Sequence, residues 1–188
     1  MEKRFASKNC AGCALGIAVG VTVMLLLVAG GAGAVPVEEW NKTFGGKNQD
    51  GAKYVQQTRD GGFIIAGDTN SFGAGGYDIW LIKTDFKGNE QWSKTFGGTG
   101  TDIVWDARQT SDDGYIVAGQ TNSYGGKDQV WVFKTDDSGN QQWSKTFGGN
   151  YGDTASSVQQ TSDGGYIVAA YSGGYSVSCT DSVKGSAW

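Results

Sequence analysis

Short apolar or alternating segments, each closed by a turn signal, recur from residue 52 onwards. The second segment of each group is almost wholly apolar, as in Phe63–Gly67 and Tyr115–Gly119, and so is the third, as in Ile79–Ile82. The fourth segment, Glu90–Phe96, alternates polar and apolar residues. Continuous apolar runs are typical of strands covered on both faces, and alternation is typical of half-exposed strands. The pattern therefore predicts all-β, four-stranded antiparallel sheets with an exposed outer strand.

Turn residues separate these segments. Gly and Asp meet at Asp60–Gly62, Asp113–Gly114 and Asp163–Gly165, between the first and second segments, and Gly precedes Asn at Gly88–Asn89 and Gly139–Asn140, between the third and fourth. Glycine beside Asp or Asn supplies the positive φ that tight hairpins require. Each group therefore predicts two hairpins joined by a longer loop.

One phrase, Trp-x-Lys-Thr-Phe-Gly-Gly, occurs at Trp40–Gly46, Trp92–Gly98 and Trp143–Gly149, with the tryptophans 52 and 51 residues apart. A period of about 50 residues filled with strands predicts a partial β-propeller, with a β-solenoid as the less favoured alternative. The predicted organisation is a leader at 1–34, a lead-in strand at 35–50, a first blade at 51–98, a second at 99–149 and an incomplete or degenerate third at 150–188.

The third unit follows the pattern through Ala170 and departs from it between Tyr171 and Trp188. Two explanations stay open: a decayed blade that has lost a loop, or a truncation that has scrambled the end. Since propellers close with about four to eight blades, the sequence predicts a fragment of a longer array, an open fan, or a protomer that completes a ring by self-association through its open blade faces.

The first 34 residues have the features of an export signal. Lys3, Arg4 and Lys8 precede an uncharged apolar stretch at 11–30, and Ala32 and Ala34 form a small-residue cleavage pattern. This order predicts an apolar helix that serves as a secretory signal peptide, cut after Ala34. The alternative is an uncleaved membrane anchor at 11–34. Both place the rest of the chain outside the cell, secreted or at the cell surface.

Composition removes several function classes. The chain has no histidine, so Ser-His-Asp, Cys-His and His-containing zinc sites are excluded, and we expect no catalytic residue and no cofactor. The net charge of −4 does not suit a nucleic-acid partner. Cys10 and Cys13 lie in the leader, which leaves Cys179 alone after cleavage and predicts no internal disulfide.

With the repeat in view, the chain resembles the exported β-propeller repeat proteins of archaea and bacteria. The resemblance rests on Trp92–Gly98, on Gln109–Gly119 (Q-T-S-D-D-G-Y-I-V-A-G) and on Lys134–Trp143 (K-T-D-D-S-G-N-Q-Q-W), and it extends from Trp40 to about Ala170. It implies a cell-surface location and a binding scaffold, and it assigns no catalytic residue.

A looser resemblance concerns the tryptophans. Asp85–Trp92 is similar to the tryptophan-docking turn of quinoprotein propellers, one residue short, which implies that a tryptophan of each blade packs against the next blade. The residues predicted to lie between blades are Trp40, Trp80, Trp92, Trp131 and Trp143.

The loops after the second strands are the candidate binding surface, because loops on a rigid scaffold often carry binding residues. They combine aromatic and amide side chains, which suit sugars or peptide edges. The candidates are Asp68, Asn70, Phe72 and Tyr77 in the first unit and Gln120, Asn122 and Tyr124 in the second. The same residues recur in both copies, so turn chemistry is the competing explanation.

Two further motifs carry weak signals. Gly97–Val104 fits the calcium-binding pattern G-G-x-G-x-D-x-U, with Asp102 as the ligand. That motif works in tandem at nine-residue steps, so a turn capped by Asp102 is the favoured interpretation. Asn41–Thr43 is an N-glycosylation sequon placed on a strand, where occupancy is unusual.

These observations favour a non-catalytic interaction module at the cell surface whose partner is a protein or a glycan. A carbohydrate-active hydrolase or lyase on the same scaffold is the first alternative, with Asp68 paired with Asp106 or Asp78. A purely structural surface-layer repeat without a ligand is the second.

Overall fold

The computed structural model describes residues 21–27, 37–149, 151–173 and 176–180. Within these ranges every regular element is a β-strand, which confirms the all-β prediction. The strands are β1 Val21–Leu27, β2 Val37–Phe44, β3 Asp50–Gln57, β4 Phe63–Thr69, β5 Asp78–Thr84, β6 Glu90–Phe96, β7 Asp102–Gln109, β8 Tyr115–Thr121, β9 Gln129–Thr135, β10 Gln141–Phe147, β11 Asp153–Gln160, β12 Tyr166–Ser172 and β13 Ser176–Thr180.

Consecutive strands pair to form separate antiparallel sheets. Sheet I has the order β3-β4-β5-β6 and sheet II the order β7-β8-β9-β10, as expected for four-stranded meanders. Sheet III contains β11, β12 and β13 within the described residues, and β1 pairs with β2. The first strand of each of sheets I to III bulges at the same place, between Ala52 and Tyr54, between Val104 and Asp106, and between Ala155 and Ser157. The repeat in the sequence is thus a repeat in backbone register.

Burial follows the hydrophobic pattern. All seven residues of β4 and all seven of β5 are buried, whereas β6 and β10 are partly exposed along their length. One core cluster joins sheet I to sheet II and a second joins sheet II to sheet III. Sheets I and II are therefore each a layer between two neighbours, which explains the near-continuous apolar runs in their central strands.

A tryptophan of each outer strand contacts the following sheet. The Trp40 Nε1 donates to the Phe86 carbonyl at 3.2 Å, and the Trp92 Nε1 donates to the Asp137 carbonyl at 3.2 Å. The Trp92 ring lies 5.8 Å from that of Tyr115, in an edge-to-face geometry. The Trp40 ring also packs against Gly88 and the Trp92 ring against Gly139. Each indole thus makes both an apolar contact and a hydrogen bond to the backbone of the next sheet.

The helix expected for the leader is not present where the structure describes that segment. Val21–Leu27 is a strand paired with β2, and the rest of 1–36 lies outside the described residues. The β-branched Val21-Thr-Val23 run favours a strand, and pairing satisfies the edge backbone groups of β2. No helix in the described part of the chain has the length and apolarity that a bilayer span requires. The signal peptide and its cleavage after Ala34 stay predictions.

Candidate functional sites at the two ends of the sheets

The loops that follow β4 and β8 lie at one end of the sheets, called here the loop end. They are tied to the connection that enters each sheet. The Asn70 amide donates to the Gln49 carbonyl at 3.0 Å, and the Tyr77 hydroxyl donates to the Gln49 side chain. In the second unit the Asn122 side chain accepts from the Thr101 amide at 2.6 Å. The Asn70 backbone and the Asn122 side chain, two of the predicted binding positions, thus shape the loops.

The loops after β4 and β8 each carry one accessible aromatic side chain. Phe72 is 46% exposed and Tyr124 is 51% exposed. Each ring packs by one side on a buried tryptophan, with centroid distances of 5.4 Å to Trp80 and 5.5 Å to Trp131. Since the tryptophans fix the rings, the loop end presents ordered aromatic surface rather than mobile side chains.

Asp68 is engaged inside the protein. Its carboxylate accepts from the Val104 amide at 2.8 Å and forms an ion pair with Lys53 at 2.5 Å. Burial raises the Asp68 pKa, and the contacts with Lys53 and Val104 oppose that rise. The Lys53 ammonium also lies 4.3 Å from the Trp105 ring centroid. Asp68 therefore joins sheet I to β7, and Gln120 takes the same position in sheet II.

Asp106, the other partner of the hydrolase alternative, faces the next sheet. Its carboxylate accepts from the Ser157 hydroxyl at 2.8 Å and from the Val158 amide at 3.0 Å. Asp68 and Asp106 thus hold two different junctions, between sheets I and II and between sheets II and III.

Asp102 caps a turn in the way that Asp50 and Asp153 do. It accepts from the Gly98 amide at 2.9 Å, and the corresponding bonds from Gly46 and Gly149 measure 2.8 Å each. One Asp102 oxygen, Oδ1, is buried without a hydrogen bond among the described residues. No group of three or more carboxylate or cysteine side chains in the described chain is placed to hold a metal.

Asp78 is specific to the first unit, since Gln129 replaces it in the second. It is 1% exposed and accepts from the Ala74 amide at 3.1 Å, which fixes the loop that carries Phe72. Burial raises the Asp78 pKa, and the charge of neighbouring Asp102 raises it further against the hydrogen bonds from the loop.

Asp78→Asn is expected to raise the free energy of unfolding at pH 7, because the amide has no charge to bury beside Asp102 and its oxygen can still accept from the loop. A raised folded-state pKa means that the folded chain binds this proton more tightly than the unfolded chain. Protonated Asp78 therefore contributes to the free energy of unfolding. That contribution is fully present below the pKa of the unfolded chain and is lost as the pH rises through the pKa of the folded chain. The gain of the variant should vanish at pH 3, as measured by urea unfolding at both pH values.

Asp85→Asn is the control, because the pKa of Asp85 is lowered whereas that of Asp78 is raised. Hydrogen bonds from the Asn89 side chain and backbone lower the Asp85 pKa, so removing this charge should reduce stability at pH 7. An Asp78→Asn variant that is less stable than the wild type at pH 7 would contradict the argument.

At the opposite end, called here the hairpin end, sheets I and II each bury a lysine. Lys83 is 4% exposed, and its ammonium donates to Asp60 at 2.7 Å, to the Thr84 carbonyl at 2.9 Å and to Gln91 at 2.9 Å. Partial burial opposes ionisation of Asp60, but hydrogen bonds, chiefly from Lys83, lower the Asp60 pKa to about 2. Lys134 has the same contacts with Asp112 and Thr135 in sheet II.

A second ion pair crosses from sheet I to sheet II. The Arg59 Nη1 donates to the Asp113 carboxylate at 2.7 Å and to the Thr110 carbonyl at 2.8 Å. Asp113 has φ 64°, and within the described residues it is the one non-glycine residue with a positive φ. Gly61 and Gly164 take the equivalent turn position in the other units, each with φ 83°.

These groups surround a cavity of about 420 Å³ between the two sheets. Its walls are Arg59, Asp60, Lys83, Gln91 and Trp92 from sheet I, and Gln109, Asp113, Tyr115 and Asp137 from sheet II. The Tyr115 side chain is buried, and burial together with the charges of Asp60, Asp137 and Asp113 raises its pKa. Tyr115 is therefore a neutral hydroxyl at physiological pH.

The comparisons with known proteins assign no family. No protein-family model matches the chain, and no curated protein matches it.

The cavity is not among the sites predicted from the sequence, although the repeated units contain a signal for it. The hairpin turn reads Thr58-Arg-Asp-Gly-Gly62 in the first unit, Thr110-Ser-Asp-Asp-Gly114 in the second and Thr161-Ser-Asp-Gly-Gly165 in the third. Arg59 and Asp113 are the departures from the shared turn, and they are the two residues that meet across the cavity. Differences between copies, rather than the repeated residues, point to this site.

Proposed function

We propose that the chain is an exported module of the β-propeller type that acts as a non-catalytic binding scaffold at the cell surface. Support for the architecture comes from the identical strand order of sheets I and II and from the tryptophans that join each outer strand to the next sheet. Adjacent propeller blades pack in this layered way.

The observation that carries the binding role is the pair of exposed rings at the loop end. Phe72 and Tyr124 occupy equivalent positions in consecutive sheets, each held against a buried tryptophan. An ordered row of aromatic surface beside amide groups suits a glycan, since the C–H faces of sugar rings pack on aromatic rings and their hydroxyls bond amides. The proposed partner is a cell-surface glycan. Export depends on the proposed signal at 1–34.

One experiment tests both parts. The full chain is expressed in an exporting host, recovered from the medium and screened on a glycan array. We expect binding to at least one glycan class, and a loss of about tenfold or more in the double variant Phe72→Ala/Tyr124→Ala, because two aromatic contacts are removed.

Phe86→Ala is the control for the glycan screen, since Phe86 is 62% exposed but lies at the hairpin end. It should bind as the wild type does. Absence of binding to every glycan on the array, or equal binding by the double variant and the wild type, contradicts the proposed glycan role. Retention of the full-length chain inside the cell contradicts export.

A further inference from the structure

We propose that the cavity at the hairpin end, between sheets I and II, binds a neutral saccharide residue. It lies at the opposite end of the sheets from Phe72 and Tyr124, so the inference goes beyond the proposed function and can fail without it. Four features of the cavity support the proposal: its size, the Tyr115 hydroxyl, its charge pairing and the backbone of Asp113.

The cavity has the dimensions and walls of a small-ligand site. Its volume of about 420 Å³ lies within the usual range for ligand pockets. Two aromatic rings, Trp92 and Tyr115, stand beside polar groups from both sheets. Seven of the nine wall residues are polar or charged, and such a wall suits a ligand rich in hydroxyl groups.

The Tyr115 hydroxyl is a group that a ligand could bond. Tyr115 is 1% exposed and lines the cavity, so the little surface that it keeps faces that space. Its hydroxyl can donate one hydrogen bond and accept others. A ligand hydroxyl in the cavity would be a partner for it, and the nearby carboxylates of Asp60, Asp113 and Asp137 would accept hydrogen bonds from further ligand hydroxyls.

The charges of the cavity favour a neutral ligand. The Lys83 ammonium already has three acceptors, and Arg59 is paired with Asp113. Each cationic group is already paired with a carboxylate, so an anionic ligand would gain little, whereas sugar hydroxyls can both donate and accept beside these pairs. The Arg59 contacts with Thr110 and Asp113 both use Nη1, so a guanidinium with five N–H donors keeps others for a ligand.

The Asp113 backbone supports selection for the cavity. A left-handed conformation costs a non-glycine residue about 1 kcal/mol or more, although Asp tolerates it better than most. The other two units avoid this cost with Gly61 and Gly164. The second unit has Asp113 at this position instead of glycine, and the Asp113 carboxylate reaches Arg59 at the cavity wall. Strain that persists at one copy of a repeat is a pointer to function.

The junction between sheets II and III supplies matched variants. Ser111 stands there in place of Arg59, and Gly164 in place of Asp113. Arg59→Ser and Asp113→Gly therefore install residues that the same fold already uses. Asp113→Gly removes both the left-handed strain and the exposed ion pair with Arg59, so its melting temperature should stay close to that of the wild type.

The test is an NMR titration of the ¹⁵N-labelled full chain with methyl α-glucopyranoside, methyl α-mannopyranoside, methyl β-galactopyranoside and N-acetylglucosamine at millimolar concentrations. We expect at least one probe to shift the Trp92 indole and Gly114 amide resonances saturably. Arg59→Ser and Asp113→Gly should each weaken that binding about tenfold, the loss expected for a hydrogen bond to a charged group.

Phe72→Ala should leave the titration unchanged, which separates this site from the loop end. The inference is overturned if none of the four probes shifts the Trp92 indole, or if both cavity variants bind as the wild type does.

Discussion

Trp92→Ala is expected to lower the free energy of unfolding by about 3 kcal/mol. The indole packs against the core cluster that joins sheets I and II, contacts the ring of Tyr115 and donates to the Asp137 carbonyl. Alanine removes the aromatic surface and leaves that carbonyl without its donor. Urea unfolding followed by far-UV circular dichroism measures the loss.

Trp105→Ala is the control, because Trp105 is 45% exposed and contacts the Lys53 ammonium on the surface. Its loss should stay at about 1 kcal/mol or less. Trp92→Phe, which keeps part of the ring surface, covers the case in which the alanine variant does not fold. Equal losses for Trp92→Ala and Trp105→Ala would show that the indoles do not join the sheets.

Gly114→Ala is the second change with a large expected effect, again about 3 kcal/mol. A Cβ at this position would overlap the backbone carbonyl of Thr135 and the ammonium of Lys134. Neither can move easily, since the ammonium is buried and donates to that same carbonyl at 2.7 Å. Thermal unfolding monitored by tryptophan fluorescence provides the measurement.

Gly51→Ala is the matched control on a strand, because a Cβ at Gly51 would meet no atom within 4 Å. Its unfolding free energy should remain within about 0.5 kcal/mol of the wild type. If Gly114→Ala lowered the free energy of unfolding as little as Gly51→Ala, the Lys134 and Thr135 groups would have to move aside more easily than their hydrogen bond indicates.

Gly114 also illustrates what sequence reasoning can and cannot give. The Asp-Gly pair correctly predicted a hairpin between β7 and β8, and the positive φ was assigned to glycine. In the structure the left-handed residue is Asp113, and Gly114 is small because Lys134 and Thr135 approach it. Turn position follows from local sequence, whereas the close approach depends on residues about 20 positions away.

The buried lysines likewise separate what local sequence predicts from what depends on distant residues. Apolar runs predicted the central strands and their burial, and the structure agrees in β4 and β5. Lys83 and Lys134 close such runs, where a charged residue suggests a strand end in solvent. Their burial depends on Asp60 and Asp112, which the hairpins bring from 23 and 22 residues earlier. For the same reason, the cavity beside Lys83 was not visible in the pattern of apolar residues.

The contacts between sheets have a consequence for how such a chain folds. Trp40 reaches 46 residues ahead, Trp92 reaches 45 and Asp106 reaches 52. The loop that must close to join two units is therefore about one repeat long wherever it occurs. Adding units lengthens the chain without lengthening these loops, so the entropic barrier to each docking step stays constant. Assembly should thus spread from unit to neighbouring unit at a rate that does not depend on the number of units.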